Sequence, residues 1–350
     1  MKARQGVQEQ KACEQGVSTK DVIVVTVTYG AREHLLLQVL NAVRSMDVSK
    51  VVVVNNGAAW PVKDELTAAY QGFVDVVEMG ANTGSAQGFA TGIQRALDLG
   101  AGYVWLLDDD NRPRRDTLQK LLNAYMEAQK TTPRDRLAVL AFRPEHQADV
   151  AMGVATHRIN PRPNSFRGFH VVDIPFKVWR RTPWGKPRVR RGLPAKVALD
   201  KAPYSGLLFH RNLIQSIGLP NVDFVLYADD SEFTHRIVKK GGRTLLVTSA
   251  LLDDLESSWN IKARFSNSFV GHLQGAGDFR AYYGTRNGVY LDTISTKKNP
   301  FLFWINRMVF MGLLFLYSVA LGKSERYRLL REAINDGLAG RLGLKERFPL

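Results

Sequence analysis

Between residues 21 and 142 the chain repeats one pattern: a short β-branched or apolar run, then a segment with apolar residues at helical spacing. The runs are Asp21–Tyr29, Lys50–Val54, Val74–Met79, Tyr103–Leu107 and Leu137–Phe142. The helical segments between them are Glu33–Met46, Val62–Tyr70, Ala86–Leu99 and Thr117–Gln129. Strands that alternate with helices predict an α/β fold: a mostly parallel, Rossmann-like sheet covered by helices on both faces. In such sheets ligands gather outside the carboxyl ends of the strands. That rule places Thr28-Tyr29, Asn55-Asn56, Asn82 to Gly88 and Asp108 to Asp110 along one edge.

The fourth run stops abruptly at Asp108-Asp109-Asp110. Three like charges repel each other, and a divalent cation is the simplest reason to gather them. Mg²⁺ or Mn²⁺ takes oxygen ligands and leaves positions for substrate phosphates. On an extended backbone Asp108 and Asp110 share one side and Asp109 turns away. The plain alternative is a solvated strand end that caps the next helix. Two more acidic groups follow apolar runs. Asp229-Asp230-Ser231-Glu232 comes after Phe224–Tyr227 and before an expected helix at Glu232–Lys240. Asp253-Asp254 comes after an expected strand at Thr244–Val247. Capping explains acids in a helix's first turn, but Asp229, Asp230 and Glu232 exceed what a cap requires.

Asn82-Thr83-Gly84-Ser85-Ala86-Gln87-Gly88 opens a helix whose glycines permit close backbone approach and whose N-terminus favours an anion. It is neither a Walker loop nor a Gly-x-Gly-x-x-Gly turn, so kinase and dehydrogenase chemistry lose support. A capped helix start is the alternative. Arg280 and Arg286 open a later helix, and guanidinium forks suit diphosphate oxygens. Surface charge, or an internal ion pair of Arg286, is the alternative there.

The formal net charge is +15, which favours polyanionic partners. Lys177–Arg191 holds seven basic residues and two tryptophans with no acid. Such a loop suits anionic lipid headgroups or an acceptor phosphate. No compact nucleic-acid motif accompanies it, so nucleic acid is not an expected partner. Cys13 is the only cysteine, which excludes an intramolecular disulfide. Residues 1–20 are polar, without the apolar core of a secretory signal, and read as a flexible tail. Phe301–Leu321 is the most apolar stretch. Asn306 and Arg307 interrupt it, and Lys297, Lys298, Lys323, Arg326, Arg328 and Arg331 flank it. A helix, or a pair, lying in an anionic membrane interface fits this pattern. Packing on the catalytic domain or on a second copy, as a homo-oligomer, is the rival, and a single span stays open.

Val24–Tyr29, Asn55-Asn56, Asn82-x-Gly84-x-Ala86-x-Gly88, Leu107-Asp108-Asp109-Asp110 and Asp229-Asp230-x-Glu232 occur in an order that resembles the family 2 inverting glycosyltransferases. The resemblance covers residues 21–295 and implies the GT-A fold. Tyr282-Tyr283-x-x-Arg286-Asn287 and Asp336-Gly337-Leu338-x-Gly340-Arg341-x-Gly343 resemble bacterial galactofuranosyltransferases and rhamnosyltransferases that build cell-surface glycans.

By that resemblance Thr28 and Tyr29 lie by the nucleotide base, and Asn56, Asn82, Gly88 and Asp109 complete the sugar-nucleotide pocket. Asp108 and Asp110 match the metal motif for Mn²⁺ or Mg²⁺. Asp230 matches the general base, with Asp229 and Glu232 supporting it and Arg280 and Arg286 near acceptor or diphosphate. Galactofuranosyltransferases place a metal-binding histidine after the following strand. Here Asp254 or Asp253 takes that place, with His272 a distant alternative. Gly57-Ala58-Ala59-Trp60 departs from the family's Ser and Asp, which leaves UDP and dTDP both open.

The expected organisation is a tail (1–20), a GT-A domain (21–295) and a C-terminal membrane-associating helical segment (296–350). The domain would divide into a nucleotide-sugar half (21–142) and an acceptor half (143–295). The expected activity is metal-dependent inverting transfer of galactofuranose or rhamnose from a nucleotide sugar. The acceptor would be a polyprenyl-diphosphate-linked or growing glycan, at the cytoplasmic face of a bacterial membrane. A sugar nucleotidyltransferase is one alternative, but Thr28–Leu35 lacks the lysine that such a signature needs. A non-catalytic, basic, membrane-associated binding protein is the other.

Overall fold

The computed structural model describes residues 17–350 other than 155, 181, 186–191, 257–266 and 276. Most of the expected tail, with Cys13, and much of the basic run 177–191 therefore lie outside the described residues. The strands are β1 (Val22–Gly30), β2 (Lys50–Ala58), β3 (Val74–Glu78), β4 (Tyr103–Asp108), β5 (Asn111–Pro113), β6 (Leu137–Phe142), β7 (Lys196–Leu199), β8 (Leu207–His210) and β9 (Arg243–Asp254). In the first half the helices are α1 (Glu33–Arg44), α2 (Val62–Tyr70), α3 (Ser85–Asp98) and α4 (Thr117–Gln129). Short α5 (Ala148–Ala151), α6 (Thr156–Ile159), α7 (Ile174–Trp179) and α8 (Asn212–Ile217) follow. Then come α9 (Asp229–Lys239), α10 (Ser268–Gln274), α11 (Asp278–Ser295), α12 (Pro300–Ala320) and α13 (Ser324–Leu338).

The sheet order is β3-β2-β1-β4-β8-β6-β9-β5, with β7 also on β9. From β3 to β4 the strands are parallel, as the repeating pattern predicts. Their register sets Thr28 beside Asn55 and Val27 beside Asp108. Beyond β4 the expectation of a mostly parallel sheet fails. β8 enters antiparallel between β4 and β6, and β5 and β7 pair antiparallel with β9. Periodicity marks Tyr204–Phe209 as a strand but carries no information about its direction. Gly206, with φ +90°, makes the insertion possible: a Cβ there would stand 2.9 Å from the Ala141 Cβ. The last strand also outruns its expected end at Val247 and carries Asp253 and Asp254 inside it.

Alternation along β1 feeds two cores. Val22 and Val24 pack with Leu36, Leu40, Trp105 and Tyr125, while Ile23, Val25 and Val27 pack with Phe89, Ile93, Phe209 and Phe233. A third core joins Phe166, Phe169 and Val225 to Tyr282, Tyr283, Phe303, Phe310, Leu330, Ile334 and Phe348. The segment 296–350 is thus packed onto residues between 143 and 295. At Gly337 the backbones of α11 and α13 nearly touch, since a Cβ there would lie 2.3 Å from the Arg286 carbonyl oxygen. α12 is one continuous helix, so Asn306-Arg307 interrupts the apolar run without ending the helix. Asn306 is fully buried; its side chain accepts from the Val171 N–H (2.9 Å) and donates to the Asn164 carbonyl (2.8 Å). It docks the helix on the protein and does not break it.

Candidate active site

The carboxyl ends of β1, β2 and β4 line up, and the loops that follow them form one cleft. Asn56 organises the turn before α3. It donates to Asn82 Oδ1 and the Gly84 carbonyl (3.2 Å each) and accepts from the Thr83 N–H (2.9 Å) and hydroxyl (2.8 Å). Its polar atoms are thus committed to shaping the turn. Asn82 accepts from the Gly84 N–H at 3.1 Å. Gly57, at φ +84°, lets β2 run against that turn, because a Cβ would meet the Asn82 nitrogen at 2.7 Å. Gly88 faces Val27, 2.8 Å from where its Cβ would be, so its small size seats α3 on the sheet.

β4 stops at Asp108, and Asp109-Asp110 form a turn into β5. The backbone is therefore not extended there, and the expectation that alternation alone pairs Asp108 with Asp110 is corrected. Arg32, which the sequence reading missed, gathers the neighbours. Its Nε donates to both oxygens of buried Asp109 (2.9 and 3.1 Å) and its Nη2 to Asp110 (2.8 Å). Nη1 donates to Glu256 (2.7 Å), and the guanidinium lies over the half-exposed Tyr29 ring at 5.2 Å. Burial opposes the charge of Arg32, but these carboxylates outweigh it and raise its pKa. Burial pushes Asp109 up to about 6 against the pull of Arg32 and of fully buried Thr28.

Arg143, also missed, does the same on the other flank. It donates to Asp254 Oδ1 through Nη2 (2.6 Å) and Nε (2.9 Å), and its Nη1 stands 3.7 Å from Asp108. Buried Asn111 donates to the same Asp254 oxygen at 2.8 Å. Asp253 points the other way, to Arg114 (2.9 Å) and Arg112 (3.7 Å). His272 lies on α10 among the C-terminal helices, where burial and then Arg167 and Arg326 push it down to about 3. It is far from this chemistry in the fold. His146 approaches Asp254 at 3.9 Å. A simple rule could have found both arginines: each closely follows the carboxyl end of a parallel strand, β1 or β6.

Asp108 keeps 40% of its side chain exposed. Desolvation in the cleft, with Asp110, Asp109 and Asp230 nearby, pushes its carboxyl up to about 7 against Arg143. The same relation brings Asp230 into the neighbourhood of Asp108. Among the described residues no three His, Cys, Asp or Glu side chains form a metal cage. The donor set nevertheless fits a hard divalent cation. Asp108 is open, Asp110 is close by, and water and phosphate oxygens ordinarily complete such a shell. Asp254, the expected third ligand, is held by Arg143 and Asn111, just as Asp110 is held by Arg32.

The second acidic group sits inside the first turn of α9, one turn earlier than expected. Asp229 is buried and accepts from the Ser85 hydroxyl at 3.0 Å; burial and then Asp230 push it up to about 7. Half-buried Asp230 is raised by burial and accepts from the Ser231 N–H at 2.5 Å. Glu232 pairs with Arg236 (3.1 Å), which in turn donates to the Leu219 carbonyl at 2.9 Å. Tyr227 is pushed up to about 12 by burial, against nearby Arg280, and it neighbours Tyr29 and Asp229. Arg280 is thus a neighbour of Tyr227 and lies over Phe279 at 5.4 Å. Arg286 is 1% exposed, stacks on Tyr283 at 4.9 Å and donates to the Gly343 carbonyl at 2.5 Å. The expectation that Arg286 grips a diphosphate is corrected. No substrate reaches it, because the Tyr-Tyr-x-x-Arg-Asn stretch packs it into the third core.

A mixed α/β sheet with carboxylates at its strand ends and a second acidic pair at the head of a helix is the arrangement of the GT-A glycosyltransferases. Residues 23–170 match the family model described as glycosyl transferase family 2, and this part of the chain is a glycosyltransferase domain similar to that family. The match agrees with the resemblance drawn from the motifs. It stops short of the second acidic group. Over 228 residues, 64% of this chain, the sequence is 26% identical to a protein described as galactofuranosyltransferase GlfT1 from Mycolicibacterium smegmatis. The same identity and extent hold for GlfT1 of Mycobacterium tuberculosis. The aligned stretch spans 67% and 66% of those relatives. Among solved structures, GalNAc-T7 with UDP, GalNAc and Mn²⁺ aligns with a TM-score of 0.48 at 14% identity, over 79% of this chain and 51% of its own. S. aureus TarS 1-349 in complex with UDP-GlcNAc aligns with a TM-score of 0.45 at 12% identity, over 94% and 98%.

Proposed function

We propose that this glycosyltransferase moves galactofuranose from UDP-galactofuranose to a polyprenyl-diphosphate-linked glycan, with inversion. The observation that carries the reading is the meeting of two acidic groups in one cleft, where Asp230 is close enough to act on the charge of Asp108. An inverting transfer needs one displacement at the anomeric carbon and one carboxylate to take the acceptor proton. Asp230 is that base. Burial raises its pKa, which suits a proton acceptor, and it stands at the head of α9 next to buried Asp229. Asp108 and Asp110 would hold Mn²⁺ or Mg²⁺, which when bound neutralises charge on the departing diphosphate. Arg32 supports that loop by fixing Asp109 and Asp110. Similarity to proteins described as GlfT1 favours galactofuranose over rhamnose.

The acceptor reading includes a place of action, the cytoplasmic membrane face. α12 is long and apolar enough to cross a membrane by length and composition, with 28% of its most apolar window buried. Phe301, Trp304, Met308, Phe315, Leu316 and Val319 form an exposed stripe opposite Asn306. Such a helix, held to the protein along one side, suits a bilayer interface.

The test is donor binding by full-length protein, using UDP-galactofuranose and dTDP-rhamnose with and without Mn²⁺. Mn²⁺-dependent binding of UDP-galactofuranose alone supports the reading. Preference for dTDP-rhamnose would replace the sugar, and binding of neither would remove the donor assignment. Flotation with anionic vesicles tests the place of action.

A further inference from the structure

The loop that delivers the second acidic group is held in an unusual backbone conformation. Val225 (φ +63°), Tyr227 (φ +67°) and Ala228 (φ +61°) are all left-handed without being glycine. Such residues are costly, the more so when β-branched or bulky, and persist only where the surroundings over-determine them. Here one side chain does most of the holding. Asn287 Nδ2 donates to the carbonyls of Phe224 (2.7 Å), Leu226 (2.7 Å) and Tyr227 (3.0 Å). An amide nitrogen has two hydrogens, so three carbonyls must converge on it to share them. Arg286 Nε donates to Asn287 Oδ1 at 2.8 Å, which fixes the amide's orientation, and Arg286 Nη2 reaches the Phe224 carbonyl at 3.4 Å. Asn287 is itself fully buried.

From the opposite side the donor turn closes on the same loop. The Ala86 N–H donates to the Val225 carbonyl at 3.3 Å. At Gly84 a Cβ would stand 2.1 Å from that oxygen. The loop is therefore gripped between the turn shaped by Asn56 and the α11 amide. It ends at Ala228, the N-cap of α9, and the next two residues are Asp229 and Asp230.

We propose that Asn287 is a positioning residue for the base: its amide sets the left-handed path of 225–228 and so the placement of Asp230 against the donor. This rests on the reading of Asp230 as base. Asn287 touches no substrate; it acts through the loop. Arg286 serves the same end by orienting Asn287.

Hydrogen exchange and steady-state kinetics on full-length Asn287→Ala and Asn287→Ser test this together. Amides of 225–231 in the alanine variant should exchange about tenfold faster, with β4 unchanged, as local opening frees the loop. With UDP-galactofuranose, kcat should fall about 100-fold while the donor KM stays, as expected for a small misplacement of a reacting group. Serine, which keeps one donor, should recover part of both. Folded variants with unchanged exchange at 225–231, or with KM raised and kcat intact, would overturn the proposal. If the wild-type protein transfers no sugar, the exchange result alone decides the loop's restraint, and only the transfer reading falls.

Discussion

The two acidic groups of the cleft are balanced in opposite ways. Asp109 and Asp110 share Arg32, and Asp108 and Asp254 flank Arg143, so the first group is laced with buried cations. Asp229 and Asp230 have no ion pair among the described residues; a serine hydroxyl and a backbone N–H are their partners. The guanidiniums fix Asp108 and Asp109 in place and pull them toward the charged form, yet burial still pushes these carboxyls up to about 7 and about 6. Burial pushes Asp229 up to about 7 as well, with no guanidinium beside it, so countercharge rather than pKa separates the two groups. Identical side chains thus take different tasks because of what surrounds them.

The sharpest way to break this comparison is Asp230→Asn. Transfer should fall about a thousandfold while donor affinity stays, because only the proton acceptor is removed. Full activity in a folded variant would end the division of roles. The complementary change, Asp108→Asn with Asp110→Asn, should lower Mn²⁺-dependent donor affinity by about 100-fold, read by calorimetry. Loss of transfer without loss of binding would place the two groups in the same role. Arg143→Ala leaves Asp254 buried without its cation and should cost about 3 kcal/mol, measured by urea unfolding. Little change would mean that Asn111 alone satisfies Asp254.

Ser85→Ala is the smallest change. The Ser85 hydroxyl favours the charged form of Asp229, which burial and then Asp230 push up to about 7. Transfer requires deprotonated Asp230, whose carboxyl burial also raises, so the rate should fall as pH drops. Losing the hydroxyl raises the Asp229 pKa and keeps Asp229 neutral, which eases ionisation of neighbouring Asp230, so the acid limb of the pH–rate profile should move to lower pH. The lost hydrogen bond should also cost about 1 kcal/mol. An acid limb that stays put would show that Asp229 does not couple to the base.

Much of this was legible in the chain. The boundaries of α2, α4 and β6 coincide with their sequence patterns. The expectation that Thr28, Asn56, Asn82 and Asp108 lie along one edge agrees with their places in the fold, because a parallel sheet sends all its carboxyl ends the same way. The same rule was not extended to Arg32 and Arg143, which stand at the ends of β1 and β6. Arg286 went the other way: spacing made it a diphosphate ligand, but burial made it a brace.

The sequence by itself determined the α/β class, the parallel strands from β3 to β4 and the acidic edge, because those follow from local periodicity and one direction of chain travel. Only the tertiary structure decided which strand enters antiparallel, which arginine answers which carboxylate, and that Asn287 holds the loop before the base. Those outcomes depend on contacts such as that between Asn287 and the Phe224 carbonyl, 63 residues apart in sequence. Spacing along a chain cannot encode a distance that only packing sets.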